Sequence, residues 1–215
     1  MALNKIDIDT LDPARTIVVA TGNAHKLVEI EDILSRVLPD VTFVALGQLG
    51  DFDDPEETGT TFLENALIKA EAAVEQTGMS AIADDSGLVV DVLGGEPGVY
   101  SARYGHKASD KERTAYLLEN MKNVPEERRG AKFVCVITCL FPDGRKIVAR
   151  GECPGVIARA PHGENGFGYD PVFYLPELGM TYAELPSEQK NAISHRARAL
   201  QDFCRKYQEV QNHDK

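Results

Sequence analysis

The sequence predicts an α/β fold in which a mixed β-sheet is flanked by helices, and three observations carry that prediction. The chain opens on a strand–turn–helix pattern. Its later strands and helices intermix without a strict βαβ rhythm, and a strong hairpin signal demands antiparallel pairing.

The first strand is Thr16 to Ala20, short, apolar and β-branched, and Gly22 and Asn23 break it. Ala24 to Leu38 follows with helical spacing, its stripe formed by Leu27, Ile30, Ile33, Leu34 and Val37. A second strand, Val41 to Leu46, comes after Pro39-Asp40. A loop with five acids between Asp51 and Glu57 then leads to Thr61-x-x-Glu64, a capping box that opens a helix to about Gln76. Ala81 to Ala83 reads as a small apolar strand ending in Asp84-Asp85-Ser86-Gly87, Leu88 to Leu93 is apolar again, and the residues from Gly94 to Gly98 are turn material. Ser109-x-x-Glu112 opens a helix to about Met121. The β-rich runs Lys132 to Phe141 and Lys146 to Glu152 flank Pro142-Asp143-Gly144, the hairpin signal. A last helix is expected over Ser187 to Gln211, with Ile193, Ala197, Leu200, Cys204 and Tyr207 on one face.

Residues 1–15 read as a polar, acidic N-terminal extension and 16–215 as one domain, with no linker long or polar enough to part it. The formal charge of −11 argues against a surface made for nucleic acid or an anionic membrane, so a polyphosphate ligand must be small and locally neutralised. Neither a secretory signal nor an apolar run approaching the roughly 20 residues of a spanning helix is present, which places the expected site of action in the cytoplasm. Four cysteines, Cys135, Cys139, Cys153 and Cys204, lack Cys-x-x-Cys spacing and read as reduced core residues.

Several segments carry chemistry in the sequence. Thr21-Gly22-Asn23-Ala24-His25-Lys26 joins a strand to a helix, where backbone N–H groups and the helix dipole favour an anion. The same residues also read as a plain capped turn, since they match no glycine-rich phosphate-loop pattern. Asp84 and Asp85 are adjacent carboxylates whose repulsion needs water, a donor or a cation, and Mg²⁺ is the natural cation; the same run also reads as an ordinary Asp-rich turn. Ser86 adds a hydroxyl, and Glu56 or Glu57 of the acidic loop completes a metal site if that loop folds over it. In Gly166-Phe167-Gly168-Tyr169-Asp170-Pro171 the rings either stack on a base, with Asp170 accepting from ring N–H groups, or plug the core. Lys190 and Ser194-His195-Arg196 lie beside the apolar stripe of the last helix, on a face that in isolation reads as solvated.

Taken together these segments resemble the inosine triphosphate pyrophosphatase family. The likeness runs from Thr16 to about Leu200 through Ala20-Thr21-Gly22-Asn23 with Lys26, Glu56-Glu57-Thr58-Gly59, Phe62-x-Glu64-Asn65-Ala66, Ala83-Asp84-Asp85-Ser86-Gly87-Leu88, Gly95-x-Pro97-Gly98-Val99-Tyr100-Ser101-Ala102-Arg103-Tyr104, Gly166-Phe167-Gly168-Tyr169-Asp170-Pro171 and Ser194-His195-Arg196. The resemblance implies an elongated mixed α/β fold of two lobes with a central cleft, usually a homodimer, that splits dITP, ITP, XTP and dXTP into monophosphate and pyrophosphate. It implies that Thr21, Gly22, Asn23, Ala24, His25 and Lys26 bind the triphosphate and that Glu56 and Asp85 ligate Mg²⁺. Asp85 would also activate water, with Ser86 beside it. Phe167, Gly168, Tyr169, Asp170, Lys190, His195 and Arg196 would hold base and sugar. Two other readings stand beside it: a pyrophosphatase for other modified nucleotides, and a nucleotide-binding regulator without catalysis.

Overall fold

The computed structural model describes residues 5–213, and its strands form one seven-stranded sheet. They are β1 (Thr16–Val19), β2 (Thr42–Ala45), β3 (Ser80–Val90), β4 (Gly130–Leu140), β5 (Lys146–Ile157), β6 (Phe173–Leu175) and β7 (Met180–Thr181), in the order β2-β1-β3-β4-β5-β6-β7. β1 runs parallel to β2 and β3, whereas β6 is antiparallel to β5 and β7, so the sheet is mixed as the sequence predicts. The α-helices are α1 (Ala24–Val37), α2 (Leu46–Leu49), α3 (Phe62–Thr77), α4 (Asp110–Asn120), α5 (Ser187–Ile193) and α6 (His195–His213). The chain groups into two compact units. One runs to Asp85 and adds Cys135–Gly151 and the chain from Ala199; the other comprises Ser86–Val134 and Glu152–Arg198.

In the first unit β1 is buried along its whole length, which is why it reads as an unbroken apolar run. Its side chains alternate between two cores. Ile17 and Val19 join Leu27, Ile30 and Leu34 of α1 and Leu200, Phe203 and Tyr207 of α6. Val18, with Ala20 just beyond the strand, joins Ala70 and Ala73 of α3 and Ala81 and Ala83 of β3, where small side chains bring helix and sheet close. The expected capping box starts α3: the Thr61 hydroxyl accepts from Glu64 N–H at 3.2 Å and the Glu64 carboxylate accepts from Thr61 N–H at 3.0 Å. Of the N-terminal segment, Ile8 and Leu11 pack against the α3 core, and residues 1–4 lie outside the described part.

The second unit has its own core, in which Leu88 and Val90 meet Leu117, Met121, Phe133, Tyr169, Val172, Phe173 and Tyr182. Arg129 is buried there and spends its guanidinium on the carbonyls of Ile157, Met121 and Ala158, at 2.6, 2.8 and 3.0 Å.

Two elements differ from the sequence expectation. β3 does not stop at Asp84 but runs on through Asp84-Asp85-Ser86-Gly87 to Val90, so the paired acids sit mid-strand. Turn propensity gives way because the strand is buried on both sides of them and each acid has its own cation. The last helix is two helices, broken at Ser194, whose ψ of 161° is extended and whose hydroxyl accepts from Ala197 N–H at 3.1 Å as the cap of α6. The break carries Lys190, Ser194, His195 and Arg196 inward, each at most 5% exposed, where an unbroken helix would have left a solvated face.

Candidate active site

Parallel pairing places the candidates of the first unit. Val19 is level with Ile82, and Ala20 N–H donates to the Ile82 carbonyl at 2.8 Å, so the chain leaves β1 into residues 21–26 beside Asp84 and Asp85. Ligands of parallel sheets collect at such carboxyl ends. Asn23 caps α1, its side chain accepting from the N–H groups of His25 and Lys26 at 2.9 and 3.2 Å, so an incoming phosphate competes with Asn23 for those amides. The acidic loop lies against this turn: a Cβ on Gly22 would stand 3.1 Å from the Asp54 carboxylate.

Three carboxylates and two ammonium groups then meet. Asp84, 1% exposed, takes Lys26 at 3.0 Å. Asp85 receives the Asn65 side-chain amide at 3.1 Å and has Lys69 at 3.6 Å, and Lys69 also binds Glu57 at 2.9 Å. Burial pushes the Asp85 carboxyl above its ordinary value, and the pull of Lys69 and Lys26 does not undo it. Burial works against the charge on Lys69, but Asp84, Asp85 and Glu57 outweigh it and hold that ammonium above its ordinary range. The cluster is built of hard oxygen donors, the donor type that Mg²⁺ takes. Among the described residues no three His, Cys, Asp or Glu side chains group so as to hold a metal ion by themselves. Of the two loop acids, Glu57 is engaged by Lys69 and Glu56 is exposed.

Asn65 belongs to the quoted run Phe62-x-Glu64-Asn65-Ala66 without a role assigned there, and Lys69 lies outside the quoted runs. Their signal is the four-residue spacing that puts both on one face of α3. Asn65 is fully buried and its carbonyl oxygen accepts from Gly59 N–H at 2.8 Å. Gly59 is glycine because a Cβ there would stand 2.5 Å from that oxygen.

The second unit holds the other candidates. Asp170, 3% exposed, accepts from Lys190 at 2.7 Å and from Phe167 N–H at 2.9 Å on the same oxygen. Gly166, at φ 75°, approaches this carboxylate so closely that a Cβ would clash with it at 2.1 Å. The half-buried Phe167 ring has the Lys190 ammonium 4.6 Å and the Arg196 guanidinium carbon 5.9 Å from its centre. Arg196 donates to the Ser86 hydroxyl at 2.9 Å, and His195 stacks on Phe133 with ring centres 4.7 Å apart. Tyr169 departs from the stacking expectation. Its ring is in the core at 4% exposure and its hydroxyl donates to the Ser101 carbonyl, leaving Phe167 as the accessible ring of the pair.

Residues 17–206 match the model of the Ham1 family. The chain belongs to that family. It is 54% identical over 187 residues to a dITP/XTP pyrophosphatase of Yersinia pseudotuberculosis, covering 86% of this chain and 93% of that one. A dITP/XTP pyrophosphatase of Thermus thermophilus is 48% identical over 193 residues, with 90% and 92% covered. The fold is shared with solved Ham1 proteins. The one from Coxiella burnetii superposes with a TM-score of 0.82 at 43% identity, covering 90% of this chain and 98% of that one, and the one from Staphylococcus aureus with 0.81 at 44%, covering 91% and 99%. No helix of the described residues is long and apolar enough to cross a membrane.

Proposed function

We propose that this Ham1 chain hydrolyses dITP, ITP, XTP and dXTP to the nucleoside monophosphate and pyrophosphate. One observation carries the reading: Asp85 is a buried carboxylate, fixed by Asn65 and Lys69 just past the part of β3 that pairs with β1, next to a helix-capping turn whose amides an anion can take over from Asn23. Asp85 accepts the proton of the attacking water, and Asn65 and Lys69 hold its oxygens in place. Lys26 and the amides of residues 21–26 take the charge of the leaving pyrophosphate. Asp85, with Glu56 as the resemblance implies, would hold Mg²⁺, which when bound would neutralise the triphosphate and polarise its phosphoryl oxygens. The reading includes a homodimer, which the resemblance implies, acting in the cytoplasm.

The base falls to the second unit. Hypoxanthine and xanthine present an oxygen acceptor at the 6-position, whereas adenine presents an amino donor there. Lys190 and Arg196, the cations beside the Phe167 ring, suit the oxygen. With adenine these donors face a donor, and each unsatisfied buried group costs about 1–3 kcal/mol. Pyrophosphate release from dITP, ITP, XTP, ATP and GTP, with and without Mg²⁺, tests the reading. The expected result is Mg²⁺-dependent release with kcat/KM for ITP about 10²-fold or more above that for ATP. Equal turnover of ITP and ATP contradicts it.

Asn65→Ala should lower kcat/KM about 10- to 100-fold, because it frees the Asp85 carboxylate and the Gly59 amide together. The check is steady-state kinetics beside a circular-dichroism melt showing an intact fold.

A further inference from the structure

The motif around Pro97 to Tyr104 plays no part in the reading above, yet its centre is tied to the segment that carries Phe167. The Ser101 hydroxyl donates to the Gly98 carbonyl at 2.6 Å and accepts from Leu88 N–H at 3.0 Å, two residues beyond Ser86 in β3. The Ser101 carbonyl accepts the Tyr169 hydroxyl at 2.8 Å. A second set of ties comes from α4. Gly168 N–H donates to the Asp110 carboxylate at 2.8 Å, and the Gly168 carbonyl accepts from the Thr114 hydroxyl at 3.3 Å. Thr114 is buried, and Asp110 is steadied by an ion pair with Arg113.

A segment with glycines at 163, 166 and 168 has much conformational entropy to lose, so a few well-made hydrogen bonds decide where it stands. A buried tyrosine hydroxyl needs a partner, and here the partner lies in a different segment of the unit. We propose that Tyr169 and Thr114, with Ser101 and Asp110, are positioning residues that fix the 167–170 segment, so that the Phe167 ring keeps its place against Lys190 and Arg196. Base affinity then depends on groups that do not touch the base, an inference that rests on the proposed reading of this unit.

The chain contains no tryptophan, so Phe167→Trp introduces a single tryptophan at the ring in question, excited selectively at the red edge where tyrosine does not absorb. In that background, adding Tyr169→Phe or Thr114→Val is expected to raise acrylamide quenching about twofold, as the ring is released towards solvent. In the otherwise natural chain, each substitution should raise KM for ITP about three- to tenfold, the loss of one hydrogen bond. Neither kcat nor inhibition by inorganic pyrophosphate should follow, and Thr114→Ser should restore KM. Unchanged quenching with unchanged KM overturns the proposal, and so does a parallel loss of kcat and pyrophosphate inhibition, which marks general loosening. The quenching arm uses no substrate. A natural chain that fails to hydrolyse ITP therefore contradicts the functional reading, while the ties to Tyr169 and Gly168 are still judged by fluorescence.

Discussion

Asp85→Asn is expected to lower kcat about 10²- to 10⁴-fold, the range that loss of a positioned general base produces. The fold should survive the change. An Asn carbonyl still accepts from the Asn65 amide, and Lys69 keeps Glu57. The sign of the stability change follows from the raised carboxyl. Burial lifts Asp85 in the folded chain, so the native state holds that proton more tightly than the unfolded one. Its contribution to stability therefore falls as pH rises from the ordinary carboxyl value through the raised one, and at pH 7 the ionised form costs stability. Thermal melts at pH 7 should accordingly show a Tm for Asp85→Asn equal to or above that of the natural chain, with turnover nearly gone. A Tm several degrees lower would mean that Asp85 serves the fold.

Lys190→Met has the opposite profile and the larger stability effect. Lys190 and Asp170 form an ion pair with side chains 5% and 4% exposed, and removing the cation takes the ammonium partner from a buried carboxylate. Such a loss costs about 3–5 kcal/mol. Phe167 N–H still donates to Asp170 and offsets part of this. The double variant Lys190→Met/Asp170→Asn removes both charges and keeps an acceptor for that amide, so it should recover most of the stability while the preference for ITP over ATP stays lost. Denaturant melts on the two variants and the parent separate the roles. Equal instability of single and double variants would contradict the account of the pair.

Much of this architecture is legible in the sequence where local chemistry and tertiary context agree. The β1–α1 unit, the capping boxes at Thr61 and Ser109 and the hairpin at Asp143 all stand close to where the sequence puts them. Local chemistry misleads at Asp84-Asp85-Ser86-Gly87, where a turn-like run is held straight by burial and by lysines from α1 and α3. It misleads again at the end of the chain, because one residue, Ser194, turns a face that reads as solvated into the buried wall holding Lys190, His195 and Arg196. Ser194 is itself an N-cap residue type, so the break has a local signal, weaker than the helical periodicity that spans it. In the site, Asp85, Lys26 and Phe167 announce themselves by type and place. Asn65 and Lys69 do not, since an amide or an ammonium on a helix gains its role only from the strand it faces. Tyr169 shows the converse: an aromatic between glycines suggests stacking, but its hydroxyl is satisfied in the core.

The central claim is that Asp85 activates water on a triphosphate held by residues 21–26. A crystal structure of the Asp85→Asn variant with dITP and Mg²⁺ tests it most directly. The account predicts intact dITP with its phosphates on residues 21–26 and the side chain at 85 within hydrogen-bonding reach of a water facing the triphosphate. A nucleotide bound with its phosphates remote from residue 85 would contradict it.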